Sequence, residues 1–356
     1  MPKYATCLIV PKIHGEKAIT LVNKLQILNK ELNIQRNQKL IYIPLTHTPS
    51  VDQLKILDEQ IANLKISEHT FTEKKKTKKT LAELLEDKLP PYLIASLPHA
   101  IDFIGDIAVT EIPPELEAYK SAIGEAILET HQNVRTVLAK AGAITGTFRL
   151  REFTIIAGEP TTETIHKEFG CQYHVDLAKA YYSPRLSHEH NRIASLVEDG
   201  ETIVDLFAGV GPFSILIAKT HKNVKVYAVD VNPHAIMLLK KNVRLNRVEN
   251  RVYPILGDAK EVVEKKLHGV ADRVIMNLPE KAIEFVDATC KAIKPSGGIV
   301  HFYGFVNLSK SLEDTKHDFT EAVEKNGREL KAISFSRLVR ATAPYEWQAV
   351  IDAEIH

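Results

Sequence analysis

Residues 202–232, TIVDLFAGVGPFSILIAKTHKNVKVYAVDVN, limit what this chain can fold into more than any other stretch. Thr202 to Leu206 is a short, mostly apolar run of the kind that forms a strand buried on both faces. The chain then turns on Gly209 and Gly211, and Pro212 suits the first turn of a helix, where a missing N–H costs nothing. Phe213, Ile215, Leu216 and Ile217 suit a buried helix, and Val224 to Val229 reads as a second strand ending in Asp230. A strand, glycine turn, helix, strand and acid in this order form a unit that holds the nucleoside part of a cofactor. The glycines let backbone approach the ligand, the helix start offers free N–H groups, and the acid can accept from ribose hydroxyls. The glycine pattern is G-x-G-x-x-S, without the third glycine of the dinucleotide fingerprint. Alone, it is open to a purely structural reading.

The remaining chain extends this unit. After Asn232-Pro233, an N-cap followed by a first-turn proline, a helix is expected to about Leu245. Strands follow at Val252 to Leu256, Arg273 to Met276 and Ile299 to Tyr303, with helices at Lys281 to Ile293 and 308–326. Two β stretches, 331–340 and 347–354, close the chain. Alternating strand and helix predicts an α/β fold with a doubly wound, mostly parallel sheet, and the closing β–turn–β is compatible with an antiparallel last strand.

Upstream, residues 1–72 read as a small α+β domain with no catalytic constellation, either a binding module or a packing appendage. Residues 73–80, EKKKTKKT, hold five lysines in eight positions and read as a solvated linker or as a tether that also touches a phosphate backbone. Residues 81–180 read as a middle α+β domain, and 181–356 as the cofactor domain. Within the middle segment, helices are expected at 81–89 and 115–131. Strands are expected at 103–109, with a glycine bulge or turn, and at 134–138, 147–156 and 164–168.

At 44% hydrophobic and 26% charged residues, the composition is that of a globular protein. No apolar run approaches the roughly 20 residues that cross a bilayer, and the start has no signal-peptide organisation, so a cytoplasmic protein without membrane partner is expected. Cys7, Cys171 and Cys290 are isolated, so neither a disulfide framework nor a metal site is expected. The net charge of +1 leaves the question of nucleic acid to local patches.

Three strand ends carry polar groups on one sheet edge: Asp230, Asp258 after the third strand, and Asn277-Leu278-Pro279 after the fourth. Ligands sit at such edges. Asp258 and Asn277 each precede a helix and could equally be caps; their joint placement favours a site. The layout does not suit nicotinamide chemistry, which the missing glycine also speaks against.

These residues carry a resemblance. DLFAGVGPFS (205–214), AVDVNP (228–233), GDAK (257–260) and NLP (277–279) resemble the motifs of class I S-adenosylmethionine-dependent methyltransferases. SPRL (183–186), VDLFAGVGPFSI (204–215), NPHAI (232–236) and VIMNLP (274–279) are similar to the tRNA guanine-37 N1-methyltransferase family of archaea and eukaryotes, as are GDIAV (105–109), FRLRE (148–152), TIHKE (164–168) and APYEW (343–347). The resemblance covers about residues 85–356; residues 1–80 match weakly.

The resemblance implies S-adenosylmethionine as cofactor and tRNA as partner, with N1-methylguanosine at position 37 as product and an enzyme that acts as a monomer. It puts Asp230 on the ribose and Asp258 at the adenine amine. Phe207, Gly209, Gly211 and Phe213 come around the methionine part of the cofactor, Asp205 belongs to the same pocket, and Arg185 and Asn277 lie beside it. It puts Arg149, Glu189, Asn277 and Pro279 in the catalytic set. N1 of guanine must lose a proton to attack a methyl, which a carboxylate such as Glu189 can take as general base. A guanidinium such as Arg149 can stabilise charge building on O6. Asn277 can pair with the base edge while Pro279 shapes the turn. SPRLSHEHNR departs from the family in carrying His188 and His190 where basic or small residues are usual; neither is given a part in the chemistry. A subgroup of the family also methylates the tricyclic wyosine intermediate at C7. Two alternatives stand beside this reading: a related enzyme that transfers the aminocarboxypropyl group of the same cofactor, and a non-catalytic tRNA-binding protein.

Overall fold

A computed structural model describes residues 2–74, 79–146 and 148–356. The chain divides into two compact units, 1–79 and 80–356. Half of the expected lysine-rich linker, residues 75–78, lies outside the described residues, as does Thr147.

The first unit contains β1 (Pro2–Pro11), α1 (Gly15–Lys24), β2 (Gln35–Arg36), β3 (Leu40–Pro44), α2 (Val51–Gln60) and β4 (Lys65–Thr72). Its strands form an antiparallel sheet in the order β2-β3-β1-β4. Leu8, Val10, Ala18, Val22, Ile43 and Leu57 make its core. Helix α2 has no strong apolar stripe; Ser50 starts it through a reciprocal capping box with Gln53.

The second unit begins with α3 (Leu81–Leu85), α4 (Pro91–Ile94), β5 (Ile101–Ile104), β6 (Ile107–Thr110), α5 (Lys120–Thr130), β7 (Thr136–Thr145) and β8 (Leu150–Gly158). The order β5-β6-β7-β8 is antiparallel except for the parallel pair β6–β7. The stretch 103–109 is thus two strands turning at Gly105. The front of the expected helix 115–131 is a 3-10 segment, Pro114–Tyr119. The hairpin β9 (Glu163–Glu168) and β10 (Cys171–Asp176) follows.

The cofactor-type sheet comes last. Its elements are α6 (Ser187–Leu196), β11 (Thr202–Asp205), α7 (Pro212–Thr220), β12 (Lys225–Asp230), α8 (Pro233–Asn246), β13 (Val252–Leu256), α9 (Ala259–Val262), β14 (Arg273–Met276), α10 (Val286–Ala292), β15 (Gly298–Asn307), α11 (Leu312–Lys325), β16 (Leu330–Ala343) and β17 (Glu346–Ile355). The seven strands run β13-β12-β11-β14-β15-β17-β16, parallel except for β17, which is antiparallel to both neighbours. The expected doubly wound, mostly parallel sheet is therefore present.

Strand periodicity explains why both faces are covered. Ile203, Ile275, Tyr303 and Val350 pack into the core on one face, with Ile193, Phe213 and Leu239 from α6, α7 and α8. Their neighbours Val204, Val274, Phe302 and Ile351 pack into the core on the other, with Val262, Val286 and Phe319 from α9, α10 and α11. Helix α11 starts later than expected because Ser311 caps it reciprocally with Asp314. The helix expected from Lys281 begins as a 3-10 segment, Ala282–Phe285. From β11 the chain winds outward through β12 to β13, then returns to β14 on the other side of β11. Ligands bind at such a reversal, past the carboxyl ends of the strands.

Candidate functional site

Two cavities lie at this reversal. The smaller, about 60 Å³, borders the glycine turn after β11 at Phe207 and Gly209, and Asn277 and Pro279 after β14. The larger, about 350 Å³, lies between the middle sheet and the carboxyl edge of the main sheet. Arg149, Tyr181, Tyr182, Ser183, Phe305 and Arg340 belong to the walls of both.

The glycine turn is built for close approach. Gly209 and Gly211 have φ of 55° and 92°, in the left-handed region that side chains avoid. A Cβ on Gly211 would lie 2.2 Å from Leu239 Cδ1, so the turn is pressed onto α8 there. At Gly209 the nearest other atom is the Tyr181 carbonyl oxygen, 3.7 Å from where a Cβ would sit, so the backbone is bare on that side. Asp230 at the tip of β12 braces the turn: its Oδ2 accepts from the Gly209 amide at 2.7 Å and its Oδ1 from the Asn232 amide at 2.8 Å. Burial raises its carboxyl above the ordinary range, against those amide donations. Asp205 at the end of β11 is fully buried and accepts from Ser214 Oγ at 2.7 Å. Burial pushes its carboxyl up to about 7.

Phe207 and Phe213 both face the smaller cavity, the first edge-on to Phe285 and the second edge-on to His190. Asp258 caps α9, accepting from the Lys260 and Glu261 amides at 2.9 and 3.3 Å, and borders neither cavity. Arg185 borders the larger cavity rather than the smaller, and its Nε donates to Asp102 Oδ1 at 2.6 Å.

Arg149 stands before β8 rather than in it. Its backbone is left-handed, φ 54°, with its amide donating to the Gly146 carbonyl at 3.1 Å. A non-glycine residue in this region stores strain and is worth a functional question. Its guanidinium lies over the Tyr181 ring, 5.3 Å from the centroid, and donates to Glu280 at 3.3 Å, while its buried Nε has no hydrogen-bond partner. Asn277 Oδ1 accepts from Gln348 Nε2 at 2.9 Å; Gln348 Oε1 accepts from Arg340 Nε at 3.0 Å. Arg340 also donates to Ser183 Oγ and Tyr181 Oη, both at 2.9 Å. The structure thus brings Arg149, Asn277 and Pro279 to one wall. Sequence reasoning missed Arg340, Gln348 and Glu280, because only the antiparallel register of β16 on β17 and the packing of two distant loops place them here.

Glu189 is not in either wall. It is 1% exposed and accepts from Arg192, Arg337 and the Tyr303 hydroxyl, the last at 2.9 Å. Burial alone would raise its carboxyl, but the Arg192 and Arg337 donors outweigh it and hold it below the ordinary range. The network continues inward. Arg192 pairs with Asp352, whose Oδ1 lies 2.7 Å from His301 Nδ1. His301 Nε2 accepts from Arg273 at 2.8 Å, and Arg273 pairs with Glu201 through two bonds of 2.7 and 2.8 Å. Since Nε2 is the acceptor, Nδ1 carries the His301 proton.

Three known domain families match successive parts of the chain. Residues 164–331 match the TRM5/TYW2 methyltransferase domain, 81–161 the TYW2 N-terminal domain and 7–52 the tRNA methyltransferase 5 N-terminal domain. A tRNA (guanine(37)-N(1))-methyltransferase Trm5b of Methanocaldococcus jannaschii is 33% identical over 355 residues, 98% of each chain. The chain belongs to the TRM5/TYW2 methyltransferase family. Another family member, the Trm5b of Pyrococcus abyssi, is 43% identical over 267 residues, 75% of this chain and 78% of its own. A third, the tRNA(Phe) (4-demethylwyosine(37)-C(7)) aminocarboxypropyltransferase of M. jannaschii, is 36% identical over 70% of this chain and 96% of its own. Among solved structures of the family, the complex of aTrm5 with tRNALeu superposes with a TM-score of 0.75 at 33% identity, covering 98% of this chain and 99% of that one. Pyrococcus horikoshii TYW2 in complex with MeSAdo superposes with a TM-score of 0.66 at 29% identity, covering 77% and 97%.

Proposed function

We propose that this chain is an S-adenosylmethionine-dependent tRNA methyltransferase that forms N1-methylguanosine at position 37. The observation that carries the reading is the pair of cavities joined through one wall. The smaller lies on a bare glycine turn with an acid at the next strand end, which fits a nucleoside cofactor. The larger is lined by Lys140, Arg149, Arg151, Arg185 and Arg340 against Asp102, Glu280 and Glu346, which fits an extruded base with its phosphates. When bound, the cofactor supplies a methyl group on a sulfonium, already activated for transfer.

In this reading Asp230 holds the ribose hydroxyls and Asp258 the adenine amine, with Asp205, Phe207, Gly209, Gly211 and Phe213 around the cofactor. Arg185 stands on the acceptor side, steadied by Asp102. Arg149 donates to O6 of the guanine and stabilises charge there as N1 loses its proton. Asn277, oriented by Gln348, reads the base edge, and Pro279 keeps that turn open. Glu189 takes the N1 proton. Its low-lying carboxyl keeps it ionised, and for it to reach the base Arg337, whose side chain is 45% exposed, must release it. The protein acts in the cytoplasm, as a monomer, on a tRNA gripped by the N-terminal and middle segments (1–72 and 81–180).

A second reading, transfer of the aminocarboxypropyl group to a tricyclic base, is favoured by the aminocarboxypropyltransferase relative and by the match of residues 81–161. The deciding experiment incubates purified protein with cofactor labelled separately in the methyl and in the carboxypropyl carbons, and with tRNA carrying either guanosine or the tricyclic base at position 37. Mass mapping of nucleosides should find methyl label on N1 of guanosine. Carboxypropyl label on the tricyclic base would overturn the first reading in favour of the second. Cofactor binding with no transfer to either tRNA would leave only a tRNA-binding protein.

A further inference from the structure

Arg340 stands on β16 directly opposite Gln348 of β17, in the walls of both cavities. Among the described residues it pairs with no carboxylate. Its hydrogen bonds go to neutral groups: Nε to Gln348 Oε1 at 3.0 Å, Nη1 to Ser183 Oγ and Nη2 to Tyr181 Oη, both at 2.9 Å. A guanidinium can only donate, so each of these partners is an acceptor on that side. What each offers elsewhere is thereby settled. The hydroxyl hydrogens of Ser183 and Tyr181 are left for other acceptors. Gln348, 1% exposed, meets Arg340 with its carbonyl oxygen and therefore meets Asn277 with Nε2, which donates to Asn277 Oδ1 at 2.9 Å. Asn277 Oδ1 is taken in turn, and its Nδ2 has no hydrogen-bond partner among the described residues. Donor polarity thus passes from Arg340 through two amides to Asn277, which borders the smaller cavity together with Tyr181 and Ser183.

An amide at position 348 can carry polarity this way and a carboxylate cannot. A glutamate there would gain an ion pair with Arg340, but it could only accept from Asn277 and would turn that amide round. The glutamine keeps Nδ2 of Asn277 as the free end, which suits an acceptor. Guanine offers two on one edge, O6 and N7. O6 gains charge as N1 loses its proton, so a fixed donor there is worth more in the transition state than before it. We propose that Arg340 and Gln348 are positioning residues that hold the Asn277 amide with Nδ2 presented to the acceptor edge of the target guanine. Gln348 acts through Asn277. Arg340 acts through Gln348, and through Tyr181 it also holds the ring over which Arg149 lies. The inference rests on the proposed methyl transfer to guanosine 37.

The test is a double-mutant cycle, read as the single-turnover rate of methyl transfer to guanosine-37 tRNA by the full chain at saturating cofactor. Gln348→Glu keeps the bond to Arg340 and inverts Asn277. It should slow transfer by about 10- to 100-fold, the size of a hydrogen bond to a charged group. Gln348→Met deletes both bonds at similar volume and leaves the Asn277 amide free to turn, so it should cost less, about 10-fold at most. A role in holding the two strands together predicts the opposite order, since the glutamate retains a bond and adds an ion pair. In an Asn277→Ala background, either substitution should change the rate by no more than about 2-fold. An undiminished effect in that background would mean that charge or packing acts directly, and would overturn the proposal. So would a wild-type rate in Gln348→Glu, or a slower rate in Gln348→Met than in Gln348→Glu. If Gln348→Glu does not fold, Gln348→Met carries the cycle with Asn277→Ala. Absence of any transfer by the wild-type chain would remove the methyltransferase reading and the proposal with it, whereas wild-type transfer with an additive cycle overturns the proposal alone.

Discussion

Asp205 offers a test in which the size of the effect can be worked from the structure. The group is fully buried at the end of β11, and its carboxyl lies at about 7 rather than 3.8. Burial is the main cause and the Asp230 charge adds to it, against hydrogen bonds from Ser214 and the Phe207 amide. A folded-state value raised above the unfolded one means that the folded chain holds the proton more tightly. The resulting stabilisation is complete below the unfolded value and is lost as pH rises through the folded one. The full separation of about three pH units corresponds to about 4 kcal/mol at 1.36 kcal/mol per unit, an upper bound because relaxation and water entry screen a buried charge. Between pH 5 and pH 8 the part that is lost is about 2–3 kcal/mol. Asp205→Asn keeps the shape and an acceptor for Ser214 but cannot ionise. Other titrating groups are common to both proteins and cancel in the comparison. Urea unfolding can be followed through Trp347, the only tryptophan of the chain, which lies on β17 in the same unit. The variant should gain on the wild type between pH 5 and pH 8 by an amount that moves the midpoint by somewhat under 1 M, for a slope of about 3 kcal/mol/M or more. A difference between the two proteins that stays constant across this range would refute the account of Asp205.

Three further outcomes concern the site. Asp230→Ala should weaken S-adenosylmethionine binding by about 10- to 100-fold in calorimetry, from the lost ribose contact and the freed Gly209 amide; unaltered affinity in a folded variant would remove the ribose role. Glu189→Gln should bind cofactor normally and lose most turnover near neutral pH, and thermal melts recorded alongside will show the cost of leaving Arg192 and Arg337 short of a carboxylate. An unchanged rate would rule Glu189 out as the base. Arg149→Lys should lower the single-turnover methyl-transfer rate by about 100-fold or more without changing cofactor affinity, because an ammonium cannot reproduce the planar fork; a wild-type rate would show that the left-handed turn serves something other than O6.

The parts of the fold that could be read from sequence are those governed by near neighbours. Thr202 to Leu206 and Val224 to Val229 read as strands because short apolar runs of that length suit a buried parallel sheet, and β11 and β12 lie there. Pro212 and Pro233 mark the starts of α7 and α8 because each occupies a first turn. Helix α2 and strand β4 went unread, although Ser50 and Gln53 carry a capping-box signal that could have found the helix. Arg149 was expected in a strand because nothing in FRLRE announces a positive φ, which is set by the turn it closes. The small cavity's wall was half legible: Phe207, Gly209 and Asn277 sit in recognisable motifs. Arg340, Gln348 and Glu280 depend on strand register and on loops far apart in sequence, which no local pattern records.

The ionic network behind Glu189 has a consequence for how such a site could be altered or moved. Three carboxylates and three guanidinium groups are interlocked there, spread over α6, the residue before β11 and the strands β14, β16 and β17, with His301 of β15 between two of them. Losing Asp352 or Arg273 strands a partner in a dry interior, at about 3–5 kcal/mol, a large share of the 5–15 kcal/mol by which a typical domain holds together. Change at these positions therefore has to come in compensating pairs, and lineages would be expected to keep the set whole or exchange it in blocks. The same holds at the bench. The carboxylate proposed to accept the proton cannot travel without four strands and a helix.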